Sequence, residues 1–174
     1  MRHFVFSIVM VIGLAAPAMG EPAVGEPAMG DDEAAIQETL NALYDVISGP
    51  VGEARDFERM RTLFVDGAAM GSVSAGESGN GAGRIITLDD YIEISGPWLV
   101  ENGFVERETR NEIDVWGEIA SVRSAYEGVN GVTGEVFLIG VNFLTLYKIE
   151  GEWKIASILW RTESEDWPVA AAFD

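Results

Sequence analysis

A chain of 174 residues with 29 acidic and 11 basic side chains, a net charge of −18 and no cysteine excludes several classes at once. Nucleic acids and anionic membrane surfaces are poor partners, because both are bound by Lys and Arg that replace counterions. Disulfides are also excluded, so any folded domain rests on its apolar core.

Residues 1–20 read as a secretory signal. Arg2 opens it, Phe4 to Leu14 is apolar apart from Ser7 and Gly13, and Ala16-Pro17-Ala18 or Ala18-Met19-Gly20 offers a small-residue cleavage site. The apolar stretch is about half of the roughly 20 residues that span a bilayer. The expected location is therefore periplasmic or secreted, with no membrane attachment after cleavage. Cleavage removes Arg2 and the only histidine, His3, leaving ten basic against 29 acidic residues, a net −19. A pentad with Pro second and Gly last then repeats through Gly30, and Pro and Gly at that spacing prevent helix and ladder pairing. Residues 21–30 are expected as a linker, 31–168 as one domain, and 169–174 as a tail.

Asp31-Asp32-Glu33 puts negative charge at a helix start, and Ile36, Leu40, Leu43 and Ile47 recur at helical spacing up to Ser48-Gly49-Pro50. Phe57, Met60 and Phe64 predict a second helix closing near Asp66-Gly67. Ala68 to Ser74 reads as a short strand and Gly76 to Gly83 as a loop. Thr87-Leu88-Asp89-Asp90 is a capping box with Asp in place of Glu. It opens a third helix carrying Tyr91, Ile92 and Trp98, which Gly96-Pro97 is expected to kink or split and Asn102-Gly103 to end.

From Phe104 the period becomes that of strands. Phe104 to Val115 is charged and half-exposed, Trp116-Gly117-Glu118 turns it, and Ile119 to Glu127 returns. Gly128 to Glu135 is a loop. Val136 to Ile149 and Trp153 to Thr162 form a long hairpin around Glu150-Gly151. Helices first and a meander of strands afterwards is an α+β plan, with a curved antiparallel sheet wrapped around about three helices.

This order resembles the cone-shaped superfamily that includes nuclear transport factor 2, ketosteroid isomerase and SnoaL-like cyclases, across roughly Asp31 to Pro168. Glu118-Ile119-Ala120-Ser121-Val122 entering a long strand carries part of the resemblance. Gly151-Glu152-Trp153-Lys154-Ile155 followed by Ser157-Ile158-Leu159-Trp160 carries another part, as does Arg55-Asp56-Phe57-Glu58-Arg59-Met60 with Leu63-Phe64. The resemblance implies helices closing over the concave sheet face, a mostly apolar pocket between them, and a homodimer formed through the outer face. The superfamily hosts isomerases, dehydratases, hydrolases and non-enzymatic binders, so the fold does not choose among them.

With His3 removed, the mature chain has no imidazole or thiol. This excludes His bases, Ser-His-Asp and Cys-His arrangements, and transition-metal sites built on nitrogen and sulfur. Family enzymes that work through His, such as the scytalone dehydratase types, are therefore poor models. Ketosteroid isomerase-like chemistry needs a carboxylate base and a Tyr in an apolar pocket. The hydroxyls on offer are Tyr44, Tyr91 and Tyr126, and the acids weighed are Asp45, Asp114 and Glu127, for each of which a solvated surface is the default.

Alternation places Ala120, Val122, Ser124 and Tyr126 on one strand face, and Asn142, Leu144 and Leu146 on another. On the last strand it groups Trp160 with Ile158 and Ala156, opposite Leu159, Ser157 and Ile155. The pocket candidates are therefore Tyr91, Trp98, Ser124, Tyr126, Asn142 and Trp160. Gly76 to Arg84 lacks the Lys-Ser/Thr ending of a phosphate loop, leaving a flap or a plain loop with Arg84 free to meet an anion. Asp31-Asp32-Glu33 and Glu163-Ser164-Glu165-Asp166 lack the spaced loop of a calcium site, so no metal or cofactor is expected. The expected function is binding of a small apolar or amphipathic molecule. The alternatives are a cofactor-independent lyase or isomerase using a carboxylate and a Tyr, and a non-catalytic partner-binding module with a closed core.

Overall fold

The computed structural model describes residues 30–75 and 81–174. The signal segment, the linker before Gly30 and residues 76–80 of the Gly-rich stretch lie outside the described residues. In chain order the elements are α1 (Asp31–Ile47), α2 (Phe57–Thr62), β1 (Phe64–Ala75), β2 (Gly81–Thr87), α3 (Leu88–Asn102) and β3 (Phe104–Trp116). β4 (Ile119–Asn130), β5 (Val136–Ile149), β6 (Glu152–Thr162) and a 3-10 turn at Val169–Ala172 follow.

The class is α+β. The strands form one curved, unclosed sheet in the order β2-β1-β6-β5-β4-β3. The β3–β6 meander is antiparallel, whereas β1 joins β6 in parallel, which makes the sheet mixed.

Local chemistry accounts for the helices. Ile36, Leu40, Leu43 and Ile47 are all buried on one stripe of α1, and Glu33 Oε2 accepts from the Gly30 amide at 2.9 Å. At α3 the capping box forms as expected: Thr87 Oγ1 accepts from the Asp90 amide at 3.1 Å, and Asp90 Oδ2 accepts from the Thr87 amide at 3.0 Å. Gly103 ends α3 at φ +67°, where a Cβ would lie 2.8 Å from the Val51 amide nitrogen.

α3 neither splits nor stops at Gly96-Pro97. Pro97 is exposed and costs one backbone hydrogen bond, while buried Gly96 lets the helix close on Phe57, whose ring lies 3.0 Å from where a Cβ would sit.

Three other expectations are corrected. α2 closes at Thr62 through the Leu63 amide on the Met60 carbonyl, and Asp66-Gly67 lies inside β1, where Gly67 at φ +77° sits in the register shift against β6. Gly81–Gly83 are not loop but the start of β2, paired with Val73, Ser74 and Ala75. On β6 an extra residue at Ala156 shifts the register between Thr145 and Leu146, so Ile155 turns inward together with Ile158.

The core lies between the inner sheet face and the helices, around Leu40, Leu43, Met60, Tyr126, Leu146 and Ile155. Arg55 ties the helices together from within. Its buried guanidinium donates to the carbonyls of Ile47, Gly49 and Leu99 at 3.1, 2.7 and 2.9 Å. The last residues pack on the outer sheet face, where Phe173 is buried with Ala125 and Val141 and Arg110 stacks 4.4 Å from its ring centroid.

Candidate functional site

A cavity of about 220 Å³ opens between α3, the end of α1 and the inner faces of β3 to β6. Its walls are mainly apolar, from Leu43, Ile47, Met60, Met70, Leu99 and Ile158, with Phe104 in edge-on contact with Trp98 at 6.0 Å and with Phe137 at 6.1 Å. Trp98 and Phe137 are about half exposed, marking the side open to solvent. Trp160 meets Tyr91 edge-on, with centroids 6.1 Å apart and planes at 82°. Such aromatic contacts hold ring positions with about 0.5–1.5 kcal/mol each.

Five of the six sequence candidates come together here: Tyr91, Trp98, Tyr126, Asn142 and Trp160 line the cavity. Ser124 does not. It is fully buried beside the cavity, hydrogen-bonded to Tyr44 at 2.6 Å. The weighed acids also lie elsewhere. Asp45 pairs with Arg59, Glu127 pairs with Arg107, and Asp114 is exposed. Arg84 is exposed on β2 opposite Ser72.

The acid in the cavity is Glu106, which sequence reasoning missed. It follows buried Phe104 on the inner face of β3, and its Oε1 accepts from Asn142 Nδ2 at 3.2 Å. Burial among apolar side chains raises its pKa to about 7, the Asn142 hydrogen bond pulling weakly the other way. Tyr91 and Tyr126 are pushed above the ordinary phenol range, by burial first and by the nearby Glu106 charge second. Both phenols thus stay protonated at neutral pH, beside a carboxyl whose pKa lies close to that pH. The signal in the sequence is the alternation Phe104-Glu106-Glu108, which places both acids on the face of a buried aromatic residue.

Tyr126 reaches its place because Gly140 opposes it on β5. A Cβ at Gly140 would sit 2.6 Å from the Tyr126 hydroxyl and 2.5 Å from the Arg161 carbonyl. Among the described residues no group of three or more Asp, Glu, His or Cys side chains is arranged to hold a metal.

A second hollow lies on the outer sheet face, between the C-terminal segment and β5–β6, lined by Phe143, Arg161 and Trp167 among others. Its one carboxylate, Glu163, is exposed to solvent and not set in an apolar wall. The inner cavity is therefore the stronger candidate.

No family model and no curated protein matches this sequence. Solved structures do. A nuclear transport factor 2-like protein with a cystatin-like fold from Novosphingobium aromaticivorans is 15% identical, with a TM-score of 0.62 over 83% of this chain and 90% of its own. A protein of unknown function from Mycobacterium tuberculosis is 18% identical, with a TM-score of 0.61 over 78% of each chain. A scytalone dehydratase-like protein from Novosphingobium aromaticivorans is 22% identical, with a TM-score of 0.57 over 76% of this chain and 85% of its own. At these identities the likeness establishes the fold alone. It is the cone-shaped fold of the nuclear transport factor 2-like proteins, with its cavity between helices and sheet.

Proposed function

We propose that the cavity binds a small, mostly apolar molecule bearing a carbonyl or hydroxyl group, and that Glu106 exchanges a proton with it, as in a cofactor-independent isomerase or lyase. The observation that carries this reading is the meeting of Glu106 with Tyr91 and Tyr126 in one apolar cavity. An acid with a pKa near the working pH is best placed to take up and return a proton. Protonated phenols facing the same space are suited to hold the oxygen of an enolate formed when Glu106 removes the proton beside a carbonyl. Returning that proton to a different carbon isomerises the molecule, and loss of a β-leaving group in its place makes the reaction an elimination. Size points to one or two rings, since an apolar cavity of about 150 Å³ holds a benzene and this one measures about 220 Å³.

A second reading, binding without chemistry, draws on the apolar walls. One experiment separates the two. In deuterated buffer at pH 7, the α-protons of 2-tetralone are followed by NMR with wild-type protein and with Glu106→Gln. Proton transfer predicts accelerated exchange that is lost in the Gln variant while affinity is kept. Equal binding with no acceleration by wild-type protein leaves the non-catalytic reading. A closed-core scaffold has no support beside an open cavity.

We also infer that the protein is exported and works as a homodimer through its outer sheet face, where Ile119, Phe143 and Tyr147 are exposed on adjacent strands. Sedimentation of wild-type protein and Phe143→Asp tests this, a monomer in both being the contrary result.

A further inference from the structure

The described residues contain a polar chain that the cavity chemistry alone does not use. Asn142 Nδ2 donates to Glu106 Oε1 at 3.2 Å and also to Tyr44 Oη at 3.0 Å. Tyr44 and Ser124 share a hydrogen bond of 2.6 Å, and Ser124 Oγ donates to Glu108 Oε1. The other oxygen of Glu108 accepts from Gln37 Nε2 at 2.7 Å and from Asn111 Nδ2 at 2.8 Å. The run connects a cavity carboxyl on β3 with a second carboxyl two residues along the same strand, by way of α1, β4 and β5.

Donor counting fixes its direction. A carboxylate only accepts, so the single hydrogen of Ser124 goes to Glu108. Ser124 therefore accepts from Tyr44, whose own hydrogen is then committed, and Tyr44 can only accept from its remaining neighbour. That neighbour must present a donor, so Asn142 turns its NH₂ toward Tyr44, and the same NH₂ meets Glu106. An amide and its half-turned form have nearly the same shape, so these neighbours decide which end faces Glu106.

We propose that Glu108, outside the cavity, is a positioning residue: through Ser124 and Tyr44 it holds Asn142 with its NH₂ against Glu106. This rests on the reading of Glu106 as the proton-transferring group, but its test does not need a substrate. Glu106 is faced by Tyr44 from α1, Tyr91 from α3, Tyr126 from β4 and Asn142 from β5. Of these, Asn142 is the one hydrogen-bonded to Glu106, and its amide can turn over.

The test is Glu108→Gln, read by ¹³C NMR titration of the Glu106 carboxyl in the full-length protein. The amide oxygen of the variant must face Gln37 and Asn111. Both of those donors have a further bond that favours this orientation, Gln37 to Asn41 at 3.1 Å and Asn111 to Gln37 Oε1. The new NH₂ then points at Ser124, so Ser124 donates to Tyr44 and Tyr44 donates to Asn142. The amide turns over and sets its oxygen against Glu106.

Exchanging a donor for an acceptor beside a carboxylate raises its titration midpoint, by about one pH unit if one charged hydrogen bond is lost. Simple loss of the Glu108 charge acts in the opposite sense, since removing a neighbouring negative charge lowers that midpoint. An upward shift that vanishes in Tyr44→Phe/Glu108→Gln supports the relay. A downward shift or none overturns it. Ser124→Ala, which leaves Tyr44 free to donate to Asn142, gives the same upward shift if Glu108→Gln fails to fold, and its absence also overturns the proposal. If Glu106 shifts upward but no α-proton exchange is found with wild-type protein, the relay stands and the catalytic reading falls.

Discussion

Replacing Glu106 by Gln should make the protein more stable at pH 8 and abolish one component of its pH dependence. The unfolded chain releases this proton near 4.5, whereas the folded protein holds it to about 7. Between those values the folded state keeps a proton that the unfolded state has lost. The stabilisation is therefore full below pH 4.5 and falls as pH rises through 7. The gap corresponds to at most about 3 kcal/mol, and the solvent-connected cavity reduces it toward roughly 2 kcal/mol.

Gln keeps the shape and an acceptor for Asn142 but has nothing to ionise. Urea unfolding of both proteins at pH 5, 6, 7 and 8 isolates the effect, because every other titrating group is common to them. The stability difference should swing toward the variant by about 1.5–2.5 kcal/mol between pH 5 and 8, equivalent to roughly 3–10 °C in Tm. Parallel pH profiles for the two proteins would refute the placement of an ionisable carboxyl in an apolar wall.

Other substitutions test the frame around the cavity. Arg55→Lys should cost about 3 kcal/mol by urea unfolding, since an ammonium cannot span the carbonyls of Ile47, Gly49 and Leu99 that the guanidinium joins. Gly140→Ala should cost about 1–3 kcal/mol and move the Tyr126 ring, seen as altered aromatic NMR shifts, because its methyl meets the Tyr126 hydroxyl and the Arg161 carbonyl. Thr87→Ala should cost about 1 kcal/mol by removing the cap of α3, measured by thermal unfolding.

The legible parts of this protein were those set by short-range pattern. The α1 stripe, the Thr87 capping box and the alternation Ala120-Val122-Ser124-Tyr126 each depend on nearest neighbours along the chain, and all three are found in the structure. Bulges defeated the strand reading. On β3 the register shifts between Glu108 and Arg110, so the inner face runs through Phe104, Glu106 and Glu108 and then resumes at Asn111 and Ile113. Without that shift, Glu106 falls out of phase with Ile113 and Val115 and looks solvated. The extra residue at Ala156 had the same effect on Ile155. Gly81–Gly83 read as loop because glycine has no strand preference, and only pairing with β1 makes them strand. Ser124 carried a correct face but not its partner, since the Tyr44 hydroxyl comes from a helix 80 residues away.

A cavity carboxyl that moves a proton at neutral pH must itself titrate near that pH. The most direct measurement is ¹³C NMR titration of the Glu106 side chain, assigned with Glu106→Gln, with and without 2-naphthol as a phenolic occupant. The expected midpoint is near 7 in the free protein and moves when the cavity fills. A midpoint near 4.5, unchanged by the probe, would contradict it.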